Sequence, residues 1–355
     1  MGIDVHWTLP THGDGRSGSQ RRWNRGEGER AVRFAPSIRD ERGGRFTYAD
    51  YAVQVARAAE LAGFRGLAIP YDPAGEDGWV IGSALARETR HLTILPEFRP
   101  GFASAVYTAK LSFTFQRFFG DRLGWKLDLD GPAADAPVDR LTRAAELLSV
   151  AEGVWGETPF DFHGRYFSVE SGALFALHAG QQVRVAARPF PTVYAGGEAE
   201  ERLAFSAAHA DVHLFERIET DALRGLIERH RALSERAGRA VRYGLQLSVA
   251  AAEYESEAWT KARRLWADVH AGDDGSFESQ RVDATAWRGF KQIGHTYDGG
   301  LIGSYRDVAE RLSAYADLGI TTFVLDAIPR VEEAYRLGEA VLPLLAGRSF
   351  AGAAS

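Results

Sequence analysis

The sequence predicts a single α/β domain over residues 1–355, a (β/α)8 barrel with insertions. Short apolar runs rich in β-branched and aromatic residues alternate with longer segments whose apolar residues recur at helical spacing. That alternation is the pattern of parallel strands joined by helical crossovers. Eight such runs begin near residues 3, 66, 92, 122, 192, 212, 243 and 321. Eight β/α units in one chain of 355 residues match the barrel's requirement.

The first strand opens Asp4-Val-His-Trp, stops at Pro10 and turns through Thr11-His12-Gly13-Asp14-Gly15. A polar insert rich in Arg and Gly then runs from Arg16 to Arg45. Thr47 is placed to cap a helix from Tyr48 that ends at Gly63, because a hydroxyl before an amphipathic run satisfies free amides and glycine closes the helix. Gly66-Leu-Ala-Ile-Pro70 reads as a buried strand, followed by helix 78–87, strand 92–98, helix 104–119, strand 122–130 and helix 138–154. Alternating aromatics around His163-Gly164 predict a small hairpin over 160–169. The alternation resumes with strand 192–195 and a helix from Glu198, strand 212–215 and helix 220–237, strand 243–250 and helix 256–270. Residues 271–303 show little periodicity and read as a second long insert; helix 304–318, strand 321–325 and helix 331–345 complete the chain. No domain linker or internal repeat interrupts this order.

Composition narrows the function classes. The net charge of -6 argues against nucleic-acid binding, which needs a basic footprint. The chain has no cysteine, which removes disulfides, thiolate nucleophiles and thiolate metal sites. Met1 is the one methionine, so little thiol or thioether is exposed to oxidants. The N-terminus lacks a basic-then-apolar start and no apolar run reaches membrane-spanning length, so a cytoplasmic protein with no membrane partner is expected.

In a barrel of this kind, chemistry sits at the C-terminal ends of the strands. Those ends offer His6, Thr11, His12 and Asp14; Tyr71 and Asp72; Glu97 and Arg99; Lys126, Asp128 and Asp130; Gly196, Gly197 and Glu198; then His213, Gln246, Ser248 and Asp326. Glu97 and Arg99 share one strand face, so they form an internal ion pair or leave Glu97 as a proton carrier. Lys126, Asp128 and Asp130 also share a face; two aspartates with no regularly spaced partner ligands predict no metal site. Tyr194-Ala-Gly-Gly-Glu198 runs from strand through glycines to helix, and bare backbone at a helix N-terminus suits a phosphate. His6 and His213 lie within strands and read as packed or catalytic with equal weight, His163 serves a turn, and His12 and His295 sit in loops near the strand ends. No dinucleotide, P-loop or nucleophile-elbow motif occurs.

Leu9-Pro-Thr-His-Gly-Asp14 resembles the opening of the two-component alkanesulfonate monooxygenases, within the bacterial luciferase-like flavin superfamily. Four further stretches agree in order: Ile69-Pro70 with Glu76-Asp-Gly-Trp79, Arg99-Pro100, Tyr194-Ala-Gly-Gly197 and Glu332-Glu-Ala-Tyr-Arg-Leu-Gly-Glu339. The resemblance implies reduced FMN (FMNH2) supplied by a separate NAD(P)H:flavin reductase, O2 as co-substrate, oxygenation of a small organic molecule, and a homo-oligomer, dimer or tetramer. It places Gly196, Gly197 and Glu198 at the flavin phosphate, Thr11 and Asp130 on the flavin side, and Tyr335 and Arg336 at a Tyr-Arg pair near the active site. It makes 271–303 a mobile loop whose closure excludes water. His12 or His295 is then the proton donor, Glu97 a charge new to the pocket, and Trp7, Tyr71, Glu216, Gln246 and Ser248 line the substrate.

The departures bear on the substrate. Gly75 stands where the family has an active-site Cys, Gln246 and Ser248 where it has Arg and His, and Glu216 where it has Trp. The positive charge that would hold a sulfonate is gone, and a neutral or cationic substrate fits better; the arginines of 16–45 are the opposing consideration. A deazaflavin-dependent oxidoreductase of the same fold, or a non-catalytic flavin-binding or partner subunit, are the alternatives. Binding of FMN, reduced FMN and deazaflavin separates the three.

Overall fold

The computed structural model describes residues 2–11, 48–73, 75–130, 137–156, 159–178, 181–184, 188–270 and 274–345. His12, Asp14, Thr47 and the insert 16–45 lie outside these residues. In chain order the elements are β1 (Asp4–Thr8), α1 (Tyr48–Leu61), β2 (Gly66–Ile69), α2 (Gly78–Glu88), β3 (Thr93–Phe98), α3 (Ala105–Phe119), β4 (Gly124–Leu127) and α4 (Pro137–Trp155). Two hairpins follow, β5 (Phe160–His163) with β6 (Ser168–Gly172) and β7 (Phe175–His178) with β8 (Gln181–Arg184). Then come β9 (Thr192–Gly196), α5 (Glu200–His209), β10 (Val212–Phe215), α6 (Thr220–Arg236), β11 (Arg242–Ala252), α7 (Glu255–Val269), α8 (Asp274–Ser279) and β12 (Ala286–Arg288). The chain ends through β13 (Gly299–Ser304), α9 (Tyr305–Asp317), β14 (Ile320–Asp326) and α10 (Arg330–Ala340).

The main sheet runs β10-β9-β4-β3-β2-β1-β14-β11-β13-β12, and the further pairing of β10 with β11 closes eight strands. The fold is therefore a (β/α)8 barrel, and its eight strands are those expected from the alternation. The helix starts follow the capping chemistry: Asp77 accepts from the amides of Trp79 and Val80 at 3.0 and 2.9 Å, and Ser304 and Asp307 form a reciprocal capping box. The expected hairpin over 160–169 is present as β5–β6. The second hairpin, β7–β8, was not legible as a separate pair.

The chain packs as two compact units, Met1–Leu92 with Leu214–Glu228 and Arg242–Ser355, and Thr93–His213 with Arg229–Val241. In the first, Gly244, Gln246 and Ser248 alternate to one face of β11 opposite Thr322, Val324 and Asp326 of β14. His6 of β1 partners Val324 and stands on the same face. In the second, Glu97 of β3 partners Lys126 of β4, which partners Tyr194 of β9.

The stretch 271–303 is more regular than its composition predicts. It carries α8, β12, a 3-10 turn over Lys291–Ile293 and β13, which extends the sheet beside the C-terminal half of β11. Its few large apolar residues, Phe277, Trp287, Phe290 and Ile293, pack on Trp259 and Trp266 of α7 as one buried cluster. Burial of aromatics at that density outweighs weak local periodicity.

Candidate functional site

Segment 295–297 is threaded along the inward ends of three strands in the first unit. Ser248 Oγ donates to the Tyr297 carbonyl at 2.7 Å, and Thr8 Oγ1 lies 3.4 Å from the Tyr297 hydroxyl. The Thr296 amide donates to Asp326 Oδ2 at 2.7 Å, and His295 Nδ1 stands 3.3 Å from the same oxygen. Arg330, one turn into the following helix, holds the other oxygen through Nη2 at 3.1 Å and Nε at 3.2 Å. His295, Asp326 and Arg330 are all buried. Burial acts to raise the Asp326 carboxyl, but Arg330, His295 and the Thr296 amide outweigh it and hold it well below the usual carboxylate range. Burial lowers the His295 imidazole, and Asp326 opposes that without overcoming it. At neutral pH the pair is a neutral imidazole beside a carboxylate, close at 3.3 Å but without an aligned hydrogen bond from Nδ1 among the described residues.

Behind this pair, Glu333 Oε1 accepts from Lys261 Nζ and from Arg336 Nη1, each at 2.6 Å. Arg336 is thus turned to Glu333, whose hydrogen bond raises the guanidinium further. Tyr335, its expected companion, is 39% exposed. Neither residue has a contact with His295 among those described.

Gln246 and Glu216, both expected to line the substrate, do meet: Gln246 Nε2 donates to Glu216 Oε1 at 3.2 Å. Thr11 is buried, its carbonyl accepts from the Glu76 amide at 2.7 Å, and its hydroxyl finds no partner among the described residues. Gly75 explains its own departure from the family: a Cβ there would lie 2.5 Å from Thr11 Oγ1 and 2.6 Å from Thr11 O, so the chain closes over Thr11 only without a side chain. Tyr71 is 38% exposed at the end of β2. Trp7 is corrected. Alternation turns it to the face opposite Thr8, fully buried with its ring centroid 4.9 Å from that of Phe64, so it packs the core instead of lining a pocket.

In the second unit charges on β3 and β4 pair across strands. Lys126 Nζ lies 3.0 Å from Glu97 Oε1, and Arg99 Nε 2.7 Å from Asp128 Oδ2. Register decides this, because a directly opposed side chain is nearer than one two residues along. Glu97 thus has Lys126 as an ion-pair partner. Burial raises the Asp128 carboxyl despite Arg99.

The Gly196-Gly197 turn leads into α5, whose N-cap Ala199 supplies no side-chain cap. Gly197 has φ +120°, and a Cβ there would collide with Arg202 Cδ at 2.3 Å. Arg202 is paired with Asp130, which is otherwise exposed, and Glu198 is half-buried at the start of the turn. Bare backbone, a helix N-terminus and an adjacent guanidinium form a cradle whose chemistry fits a phosphate. Arg202 escaped the sequence reading, since its place beside Asp130, 72 residues away, depends on the fold. His213 is packed, bonded to Ser206 Oγ at 2.8 Å with its ring 4.4 Å from that of His230. His163 serves its turn through Ser168 Oγ at 2.9 Å. No group of three or more potential metal ligands occurs among the described residues, and no described helix is long and apolar enough to cross a membrane.

The chain belongs to the luciferase-like monooxygenase family, whose model matches residues 4–322. Among solved structures it is similar to EDTA monooxygenase (EmoA) from Chelativorans sp. BNC1, with TM-score 0.72 and 16% identity over 98% of this chain and 95% of that one. It is also similar to the oxygenating constituent of 3,6-diketocamphane monooxygenase from the CAM plasmid of Pseudomonas putida in complex with FMN, with TM-score 0.67 and 15% identity over 97% and 99%. A third is the coenzyme F420-dependent tetrahydromethanopterin reductase from Methanopyrus kandleri, with TM-score 0.66 and 13% identity over 97% and 99%. At these identities the likeness is one of fold.

Proposed function

We propose that the protein is a flavin-dependent monooxygenase that takes reduced FMN from a separate NAD(P)H:flavin reductase and uses O2 to oxygenate a small organic substrate other than a simple alkanesulfonate. The observation that carries this is the Gly196-Gly197 turn with Arg202 beside it, in a chain whose family is that of the luciferase-like monooxygenases. Arg202 and the amides of the turn would hold the flavin phosphate, with Asp130 keeping the guanidinium in place. Bound there, reduced FMN supplies the two electrons that activate O2.

The chain's own groups then do three things. Thr11, with its buried hydroxyl unpartnered among the described residues, offers a hydrogen bond at the end of β1. His295, kept neutral by burial and oriented by Asp326, accepts a proton at Nε2; a proton acceptor replaces the donor role expected from the sequence. The aromatic cluster of Trp287 and Phe290 backs His295, whose ring lies 4.8 Å from Phe290, and excludes water from it. Gln246 and Ser248 put no guanidinium or imidazolium at those two positions of β11 to hold a sulfonate.

The test is O2 consumption with reduced FMN generated by a flavin reductase, compared between the native protein and His295→Gln. Loss of coupled oxygenation with retained flavin binding supports the assignment, whereas an unaltered rate removes His295 from the site. The similarity to an F420-dependent reductase supports one second reading, hydride transfer with a deazaflavin, and the same assay with reduced F420 under nitrogen separates it.

A further inference from the structure

We propose that Gln246 and Glu216 form the recognition site for a protonated amine on the substrate. The proposal deepens the monooxygenase reading by naming the chemical class of its substrate, and rests on it only for calling the ligand a substrate.

The chemistry follows from the orientation of one amide. Glu216 stands just past the end of β10, and its carboxylate oxygen receives Gln246 Nε2 at 3.2 Å. A carboxylate can only accept here, so the NH2 of Gln246 must face it and the amide oxygen must face away. That oxygen belongs to a side chain only 5% exposed, and it finds no donor among the described residues. The inward face of β11 therefore presents an unsatisfied buried acceptor at Gln246, next to the carboxylate of Glu216, a residue that is itself exposed. Such a pair calls for a donor bearing several N–H groups and a positive charge, because an ammonium can give one hydrogen to the amide oxygen and share its charge with Glu216.

The partners in the same strand layer do not supply that charge. In the strand layer of Gln246 the partners are Val324 of β14 and, beyond it, His6 of β1. Burial, with Arg65 and Arg242 adding to it, pushes His6 down to about 3, so it is neutral. Ser248, two residues along, is committed to the Tyr297 carbonyl, and Arg330 is committed to Asp326. A sulfonate would meet acceptors only. An alcohol would satisfy the amide oxygen but leave the carboxylate without a counter-charge.

The full-length protein is titrated with three probes of one chain length, n-hexylammonium, 1-hexanol and hexane-1-sulfonate, with binding followed by ligand-observed NMR and reduced-FMN binding measured on the same samples. The expected order is ammonium, then alcohol, then sulfonate, with ammonium favoured over alcohol by about tenfold or more, the factor one charge-assisted hydrogen bond supplies. Glu216→Gln and Gln246→Leu, each shown folded by its melting curve, should bring that ratio close to one. A ratio unchanged in both variants, tightest binding of the sulfonate, or no binding by any probe overturns the proposal. Retained FMN binding without the ammonium preference sinks this site alone; the preference without FMN binding sinks the monooxygenase reading alone.

Discussion

Replacing Asp326 by Asn removes one negative charge from a site with no solvent to compensate. The carboxylate holds Arg330 through two contacts at 3.1 and 3.2 Å, receives the Thr296 amide at 2.7 Å and faces His295 at 3.3 Å. An asparagine keeps one acceptor and turns an NH2 toward either Arg330 or Thr296, both donors. Breaking a buried pair from one side costs about 3–5 kcal/mol, because the remaining charge stays buried without a partner. For a chain of 355 residues that corresponds to a fall in melting temperature of roughly 4–7 °C, using about 2.1 cal/mol/K of unfolding entropy per residue. The assay is urea and thermal unfolding followed by tryptophan fluorescence, with Asp326→Asn/Arg330→Met as the control. The double variant should recover most of the loss, since it also removes the guanidinium left facing a neutral amide. A loss below about 1 kcal/mol in the single variant, the range of exposed pairs, or no recovery in the double, would refute the claim that this is a buried, mutually dependent pair.

Three further outcomes follow from the same geometry. Stability should hold steady above pH 6.5 and fall as acid is added, because His6 and His230 titrate at about 3 and about 4 in the folded protein against 6.5 when unfolded; the unfolded chain then binds more protons below 6.5. Asp326, held low in the fold, adds its own loss below the ordinary carboxylate range; urea midpoints unchanged from pH 8 to 4 would contradict the histidine contribution, and no further fall between about pH 4 and 2.5 would contradict that of Asp326. Lys126→Met should cost about 3 kcal/mol by breaking the Lys126–Glu97 pair from one side, and Glu97→Gln/Lys126→Met should restore much of it; equal losses in single and double variants would deny the coupling. Gly75→Cys, the residue found in the alkanesulfonate enzymes, should cost about 1–3 kcal/mol through its clash with Thr11, and an unshifted melting curve would show that the turn yields freely.

The periodic parts of the fold were legible because each strand and helix is specified by residues a few positions apart. Ser104 and Ser304 marked helix starts that the caps confirm. What escaped the sequence depends on register and long-range packing. Glu97 pairs with Lys126 because β3 and β4 align those two positions, which alternation along one strand cannot tell. The stretch 271–303 folds because Trp287 and Phe290 find α7, and in doing so it carries His295 to Asp326, a partner 31 positions further along. Arg202 reaches Asp130 by the same kind of contact. The turn Gly196-Gly197 was legible, since strand, glycines and helix are contiguous; His12 and Asp14, which opened the resemblance, lie outside the described residues.

The most direct test of the central claim is an anaerobic titration with reduced FMN, followed by mixing with oxygenated buffer. The account predicts saturable binding of reduced FMN, weakened in Arg202→Ala, and O2 uptake that depends on bound flavin. Binding of reduced F420 alone, or of neither cofactor, would contradict it.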